Sequence, residues 1–350
     1  MASTLVRMNG VQPRSTSAYA QEIRPLLSRE HFAPARIRLA WLPVHLSVLV
    51  GGGLALSVLQ LPWFGRLLIS LVIGCSFAGL TFLGHEALHG AVVRGKKLRR
   101  ALGWVGFLPF VVSPRLWEAW HNRVHHQNTN RPAEDPDAYP TLAEYRKSSL
   151  VRAVTALAPG RKRLRGVLSL LFGFTIQSVH MLVDARRRKW LTPAEHRRAV
   201  VETSLGVAFW TVVASALGPL GFLFGYVLPL LVANAIVMGF ILTNHSLSPH
   251  TDVNDPLLNS LSVTGPRWFE WLTLGFGYHV EHHLFPAMSA RHAPALREIL
   301  RARWPARYQS LPLLRALRAL HRSPRVYETD TTLVDPKTGR RWPTLAPKTA

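Results

Sequence analysis

One cysteine, Cys75, in 350 residues excludes an internal disulfide and any metal centre built on thiolates. Acidic residues are scarce as well: 19 Asp and Glu face 42 Lys and Arg, a formal charge of +23. In a soluble chain that balance would point to nucleic acid, yet no nucleic-acid motif is present and long apolar runs separate the basic clusters. The pattern fits basic loops lying against anionic lipid headgroups. Residues 1–38 lack the apolar core of a signal peptide. Interrupted by Pro13, Pro25 and Pro34, they read as a polar, basic arm, flexible or interfacial. No internal repeat of the solenoid type is found.

What the chain does have is clustered histidine. Three clusters hold eight of its sixteen histidines: His85 and His89; His121, His125 and His126; His279, His282 and His283. On a helix, His121 and His125 stand one above the other with His126 on the flank, so the middle cluster offers imidazoles in two neighbouring directions. That suits two metals better than one. Neutral imidazole is the commonest protein ligand for transition metals such as iron, copper, nickel or zinc.

The apolar runs predict four membrane-spanning helices at about 39–61, 64–84, 199–217 and 221–243, each near the ~20 residues that cross a hydrocarbon core of roughly 30 Å. His85 and His89 then fall just beyond the membrane on the second helix. Arg94, Lys96, Lys97, Arg99 and Arg100 follow and mark that side as cytoplasmic. Residues 101–113 are too short to cross and read as re-entrant or interfacial. Residues 164–183, flanked by Arg161, Lys162, Arg163 and Arg165 and by the basic run 186–189, read as a helix in the interface. Parity agrees, because an odd number of crossings between clusters would separate them.

His245 ends the fourth span at the depth inferred for His85 and reads as a further ligand. His45 reads as a packed histidine and His250 as solvent-facing. The loop 127–137 is rich in turn formers. Glu134 reads as solvated, while Asp135 and Asp137, with Asn244 beside His245, are candidates for fixing a ligating histidine through its outer N–H. Residues 290–321 read as an amphipathic basic helix pair broken by Pro305 and Pro312, and 322–350 as an irregular polar tail.

The three clusters, the last followed by Leu284-Phe285-Pro286, resemble the histidine boxes of membrane fatty-acid desaturases and their hydroxylase and carotenoid-ketolase relatives, over roughly residues 40–310. The resemblance implies an all-α membrane protein, four transmembrane helices under a cytosolic helical cap that holds a histidine-rich di-iron site. It implies His85, His89, His121, His125, His126, His245, His279, His282 and His283 as iron ligands. The middle box here is HxxxHH where many members have HxxHH, and Ile241 stands where some acyl-CoA enzymes place a ligating asparagine. The last box begins with histidine, and no His-Pro-Gly-Gly haem signature occurs, so electrons are expected from a separate ferredoxin, flavodoxin or cytochrome b5. The expected substrate is an acyl lipid or acyl thioester, with O2 as co-substrate and nucleic acid excluded. Trp104, Phe107, Phe110, Trp117 and Trp120 are candidates to line an acyl channel. A membrane metal transporter or sensor would need ionisable residues inside the spans. Apart from His45, Arg66 and Glu202 near their ends, these spans have no basic or acidic residue.

Overall fold

The computed structural model describes residues 12–160 and 166–345. Residues 1–11, the basic run 161–165 and residues 346–350 lie outside the described part. After α1 (Thr16–Ile23) come α2 (Trp41–Val58), α3 (Trp63–Leu88) and α4 (Lys96–Phe107). Next, α5 (Pro114–Trp117), a π-helical stretch (Glu118–His125) and α6 (His126–Asn128) form one continuous run. Two short helices, α7 (Leu142–Lys147) and α8 (Ser149–Leu157), lead to α9 (Gly166–Arg187), α10 (Pro193–Phe222) and α11 (Leu228–His245). The remainder holds α12 (Pro256–Asn259), β1 (Ser262–Thr264), α13 (Arg267–Leu272), α14 (His279–Leu284), α15 (Ala293–Arg303), β2 (Ser310–Pro312), α16 (Leu313–Arg322) and β3 to β5 (Tyr327–Thr329, Thr332–Val334, Arg341–Pro343).

Among the described residues, four helical stretches are long and apolar enough to cross a membrane: Arg36–Val58, Trp63–Leu88, Gly166–Arg187 and Pro193–His245. The last, 53 residues, contains both of the spans expected after residue 198. It is broken at Gly218, whose φ of 67° is open to glycine and closed to most residues, followed by Pro219. Trp210 and Tyr226 have ring centroids 4.1 Å apart, whereas straight helix would separate them by about 24 Å. The chain therefore doubles back at the kink. Helix α9, which takes up most of the 164–183 segment expected in the interface, is by length and composition also sufficient to span. It packs on α11 through Asn234, whose Oδ1 accepts from the Thr175 backbone N–H and whose Nδ2 donates to Thr175 Oγ1.

Helix α3 is the central post. Two-thirds of its apolar window is buried, against 11% for the first stretch. It meets α4 through glycine: a Cβ on Gly106 would stand 2.6 Å from Gly84 Cα and 2.7 Å from the Leu80 carbonyl oxygen. Residues 101–113, expected as a short re-entrant piece, are accordingly the second half of α4 and a 3-10 turn (Leu108–Phe110) laid against α3.

Three expectations need correction. The chain is mostly helical rather than all-α: β1 and β2 pair in parallel, and β3, β4 and β5 form an antiparallel sheet within the region read as an irregular tail. Strands of three residues give too short an alternation to read in sequence, yet Tyr327, Leu333 and Val334 are buried. The described part of the N-terminal arm is packed, with Tyr19 and Ile23 in a core with Leu257, Val280 and Leu296. Asp255 fixes it by accepting the Arg14 backbone N–H at 2.7 Å. His250, read as solvent-facing, is buried and stacks on Tyr327 with centroids 3.6 Å apart.

Gly106→Val should force α3 and α4 apart. Overpacking of this kind costs ~1–3 kcal/mol. A thermal scan in detergent should show a lowered melting midpoint, and an unchanged midpoint would remove the close approach.

Candidate metal centre

The first histidine pair sits at the end of α3 and the third cluster on α14, with His245 closing α11. The middle cluster lies on the π-helical stretch, not the α-helix its spacing suggests. Bonds from i to i+5 widen the turn and absorb the extra residue of the HxxxHH pattern, so His126 comes back beneath His121. Their Nε2 atoms are 3.2 Å apart, while the His121 and His125 rings stack at 5.1 Å. Such π segments are enriched at functional sites.

All nine expected histidines converge, in two sets. In the first, His121 Nε2 lies 3.1 Å from His85 Nε2, and His126 Nε2 lies 3.1 Å from His282 Nε2. His89 joins His85, His121 and His282 within 4.8 Å. In the second, His279 Nε2 is 2.7 Å from His245 Nε2 and 3.1 Å from His283 Nε2, and His125 groups with His245 and His283. Two nitrogens bound to one metal at roughly 2.1 Å stand about 3 Å apart, so this spacing fits shared coordination. Burial, then the neighbouring imidazoles, hold His126 and His283 well below the ordinary histidine value. Burial lowers His282 to about 3. These rings are thus neutral near pH 7, the form that binds metal.

Three outer nitrogens of the second set are fixed. His125 Nδ1–H donates to Asp135 Oδ1 at 3.0 Å, because a carboxylate only accepts. Asp137 Oδ2 lies 3.5 Å from the same nitrogen. Burial opposes charge on His125, but the two carboxylates outweigh it and raise this group to about 9. His283 Nδ1 meets Thr129 Oγ1 at 3.2 Å, and His245 Nδ1 meets the Asn259 carbonyl at 3.3 Å. Of the three residues expected to orient ligands, Asp135 and Asp137 stand beside His125. Asn244 does not serve: its side-chain atoms are buried with no hydrogen-bond partner among the described residues. Glu134 is half-exposed and pairs with Arg131, away from the cluster.

Several residues escaped the sequence reading. Asn130, in the left-handed region at φ 53°, donates through Nδ2 to the carbonyls of His245 and Asn259 and through its backbone to Asp135 Oδ2. It thereby joins the loop after the second cluster to the end of α11. The glutamates inside the boxes turn away from the histidines. Glu86 accepts from Ser289 Oγ at 2.6 Å and the Ala290 backbone N–H at 2.7 Å. Glu281 accepts from Ser262 Oγ, Tyr308 Oη and Arg297 Nε at 2.5, 2.6 and 3.1 Å. Their place within HEALH and HVEHH was the available signal.

A narrow cavity opens onto the histidines. His85, His121, His125, His245 and His279 form one wall, and Phe107, Trp117, Trp120, Phe174, Ile241 and Phe276 the apolar remainder. Three of the five aromatics proposed for a channel are therefore in place. Trp104 instead donates Nε1–H to the Glu202 carbonyl, and Phe110 packs edge-on against Phe174 at 4.8 Å. His45 is remote from the cluster, buried and stacked on Trp41.

Comparison with known proteins agrees with this geometry. The description "Fatty acid desaturase" matches residues 61–313. A chloroplastic omega-6 fatty acid desaturase from Spinacia oleracea is 24% identical over 84% of this chain and 67% of its own length. An sn-1 oleoyl-lipid 12-desaturase from Arthrospira platensis is 25% identical over 71% of this chain and 72% of its own. Over a shorter stretch, 34% of this chain and 33% of its own length, an sn-1 acyl-lipid omega-3 desaturase (ferredoxin) from Synechocystis sp. is 30% identical.

Asp135→Asn should leave the fold intact and lower metal affinity by roughly 10–100-fold. Metal retained per chain during graded chelation reads this out. Retention equal to the parent would remove the orienting role of Asp135.

Proposed function

The chain belongs to the fatty acid desaturase family, and from that premise we propose that it is an O2-dependent membrane desaturase holding two irons and acting on the acyl chains of lipids. The observation that carries this reading is the meeting of nine imidazoles with an apolar cavity. His85, His89, His121, His126 and His282 would hold one iron, and His125, His245, His279 and His283 the other. Bound there, the irons supply the O2 activation needed to attack an unactivated methylene, which no side chain can achieve. The overall balance is one acyl chain, O2, two electrons and two protons giving one olefin and two waters.

The chain's own residues then have definite tasks. Phe107, Trp117, Trp120 and Ile241 hold a methylene segment beside the histidines and keep water from it. Asp135, Thr129 and the Asn259 carbonyl fix three rings so that each presents Nε2 inward. Trp120 links these tasks, lining the cavity while its Nε1–H donates to Asp137 Oδ1 at 2.9 Å. Substrates named for the relatives, oleoyl and other acyl lipids, support a lipid-borne chain over a soluble thioester. By the positive-inside rule the basic segments beside the histidines face the cytoplasm.

A desaturase-deficient host expressing this chain should accumulate a new unsaturated acid, seen by gas chromatography with mass spectrometry, and His125→Ala should abolish it. A product that retains label from 18O2 would instead assign a hydroxylase or ketolase.

Electrons come from a separate acidic carrier of the ferredoxin kind, drawn by the net charge of +23. Its kcat/KM should fall steeply between about 50 mM and 500 mM salt, mainly through association rate. Turnover indifferent to salt would discard electrostatic recruitment.

A further inference from the structure

On the far side of α11 from the histidine cavity runs an open apolar groove, walled by α3, α9, α11 and α16. Leu71, Leu171, Leu231, Ala235 and Leu317 line it. Gly239 forms its floor, and a Cβ there would find its nearest neighbour 4.0 Å away at Leu317. From Leu228 to Gly239 the groove follows roughly 16 Å of helix at 1.5 Å per residue. That is about half of a ~30 Å hydrocarbon core, the depth of one leaflet.

Chemistry at the two ends differs. At the Leu228 end the lining is aliphatic apart from Ser70, whose hydroxyl donates to the Phe224 carbonyl. At the Gly239 end, α16 contributes Leu313 and Leu317 to the groove and exposes Arg315, Arg318 and Arg322 at spacings of three and four on another face. None of these arginines has an ion-pair partner among the described residues. Beside the same end, α13 places Phe269 in the groove and leaves Trp268 and Trp271 exposed, as side chains at a bilayer interface are.

We propose that this groove seats one acyl chain of an anionic phospholipid, its phosphate against Arg315, Arg318 and Arg322, and delivers the chain from the bilayer to the histidine cavity. The inference rests on the acyl-lipid reading above and adds where the lipid enters. The connection is aromatic. Phe240 lines the groove, and its ring centroid lies 5.6 Å from that of Phe276. Phe276 lines the cavity, 5.0 Å from the His85 ring. A rotation of Phe240 or Phe276 joins the two spaces without displacing a helix. Apolar fit gives the chain its place, and the arginines select an anionic over a zwitterionic headgroup.

The test uses the full chain in vesicles containing phosphatidylglycerol with a photoactivatable group midway along one acyl chain. Labelled residues are mapped by mass spectrometry. Label should concentrate several-fold on Leu171, Leu231, Ala235 and Leu317 over the bilayer-facing Val50 and Leu54 of α2, and Gly239→Phe should remove that excess. Replacing Arg315, Arg318 and Arg322 by Gln should lower the preference for phosphatidylglycerol over phosphatidylcholine by roughly fivefold per charge. Should Gly239→Phe fail to fold, Leu317→Trp on the surface helix fills the same space. Equal labelling of groove and α2 would overturn the proposal, as would a Cys75 to Cys75 disulfide between two copies formed in the bilayer by mild oxidation. Groove labelling without any olefin would uphold the lipid site while removing the desaturase reading. Full turnover by a correctly folded Gly239→Phe would remove the groove and leave that reading intact.

Discussion

Nine imidazoles can share one buried region only if nearly all of them are neutral and their second nitrogens are directed elsewhere, with His125 set apart by the two carboxylates beside it. Several structural features serve that constraint. Asp135 is itself held by the backbone N–H groups of Asn130 and Asp137, so the carboxylate that orients His125 cannot swing away. Thr129 donates to the His125 carbonyl at 3.0 Å, which leaves its oxygen to accept from His283. Asn130 gathers the carbonyls at the end of α11. These contacts serve the second histidine set far more than the first. The two halves of the centre are therefore unequal in how firmly their rings are aimed.

A second layer of contacts holds the histidine-bearing segments to one another. Each flanking box carries a glutamate that faces away from the imidazoles and binds a distant segment: Glu86 the turn at Ser289 and Ala290, Glu281 the pair Arg297 and Tyr308. The Arg297 to Glu281 pair is almost wholly buried, and removing one partner of such a pair costs ~3–5 kcal/mol because the other charge is left unpaired. The boxes are thus structural joints as well as carriers of histidine. On the bilayer side, glycines in α3 and α4 allow backbone contact, which brings the first box beside the second.

Much of the site is legible in the amino-acid order. Spacing alone exposes the three clusters, and the position of His245 at the end of an apolar run places it with them. Asp135 and Asp137 are legible because carboxylates in a turn-rich loop directly follow a histidine cluster. Asn130 and Thr129 are not, since Asn130 depends on a left-handed backbone and on a carbonyl more than a hundred residues away, and Thr129 on the distant imidazole of His283. Asn244 misleads for the converse reason: adjacency in sequence to His245 places its side chain on a different face of the helix.

Sequence by itself determined the chemistry available, namely imidazole without thiolate, apolar runs of membrane length and an excess of basic charge, because these follow from composition and local periodicity. Tertiary structure decided how that chemistry is arranged. The π-helical widening at 118–125, the burial of His250 and the small sheet at 327–343 arise from contacts between segments remote in the chain. No local pattern encodes such contacts, since each residue's preference is settled only by the partner that packing brings to it.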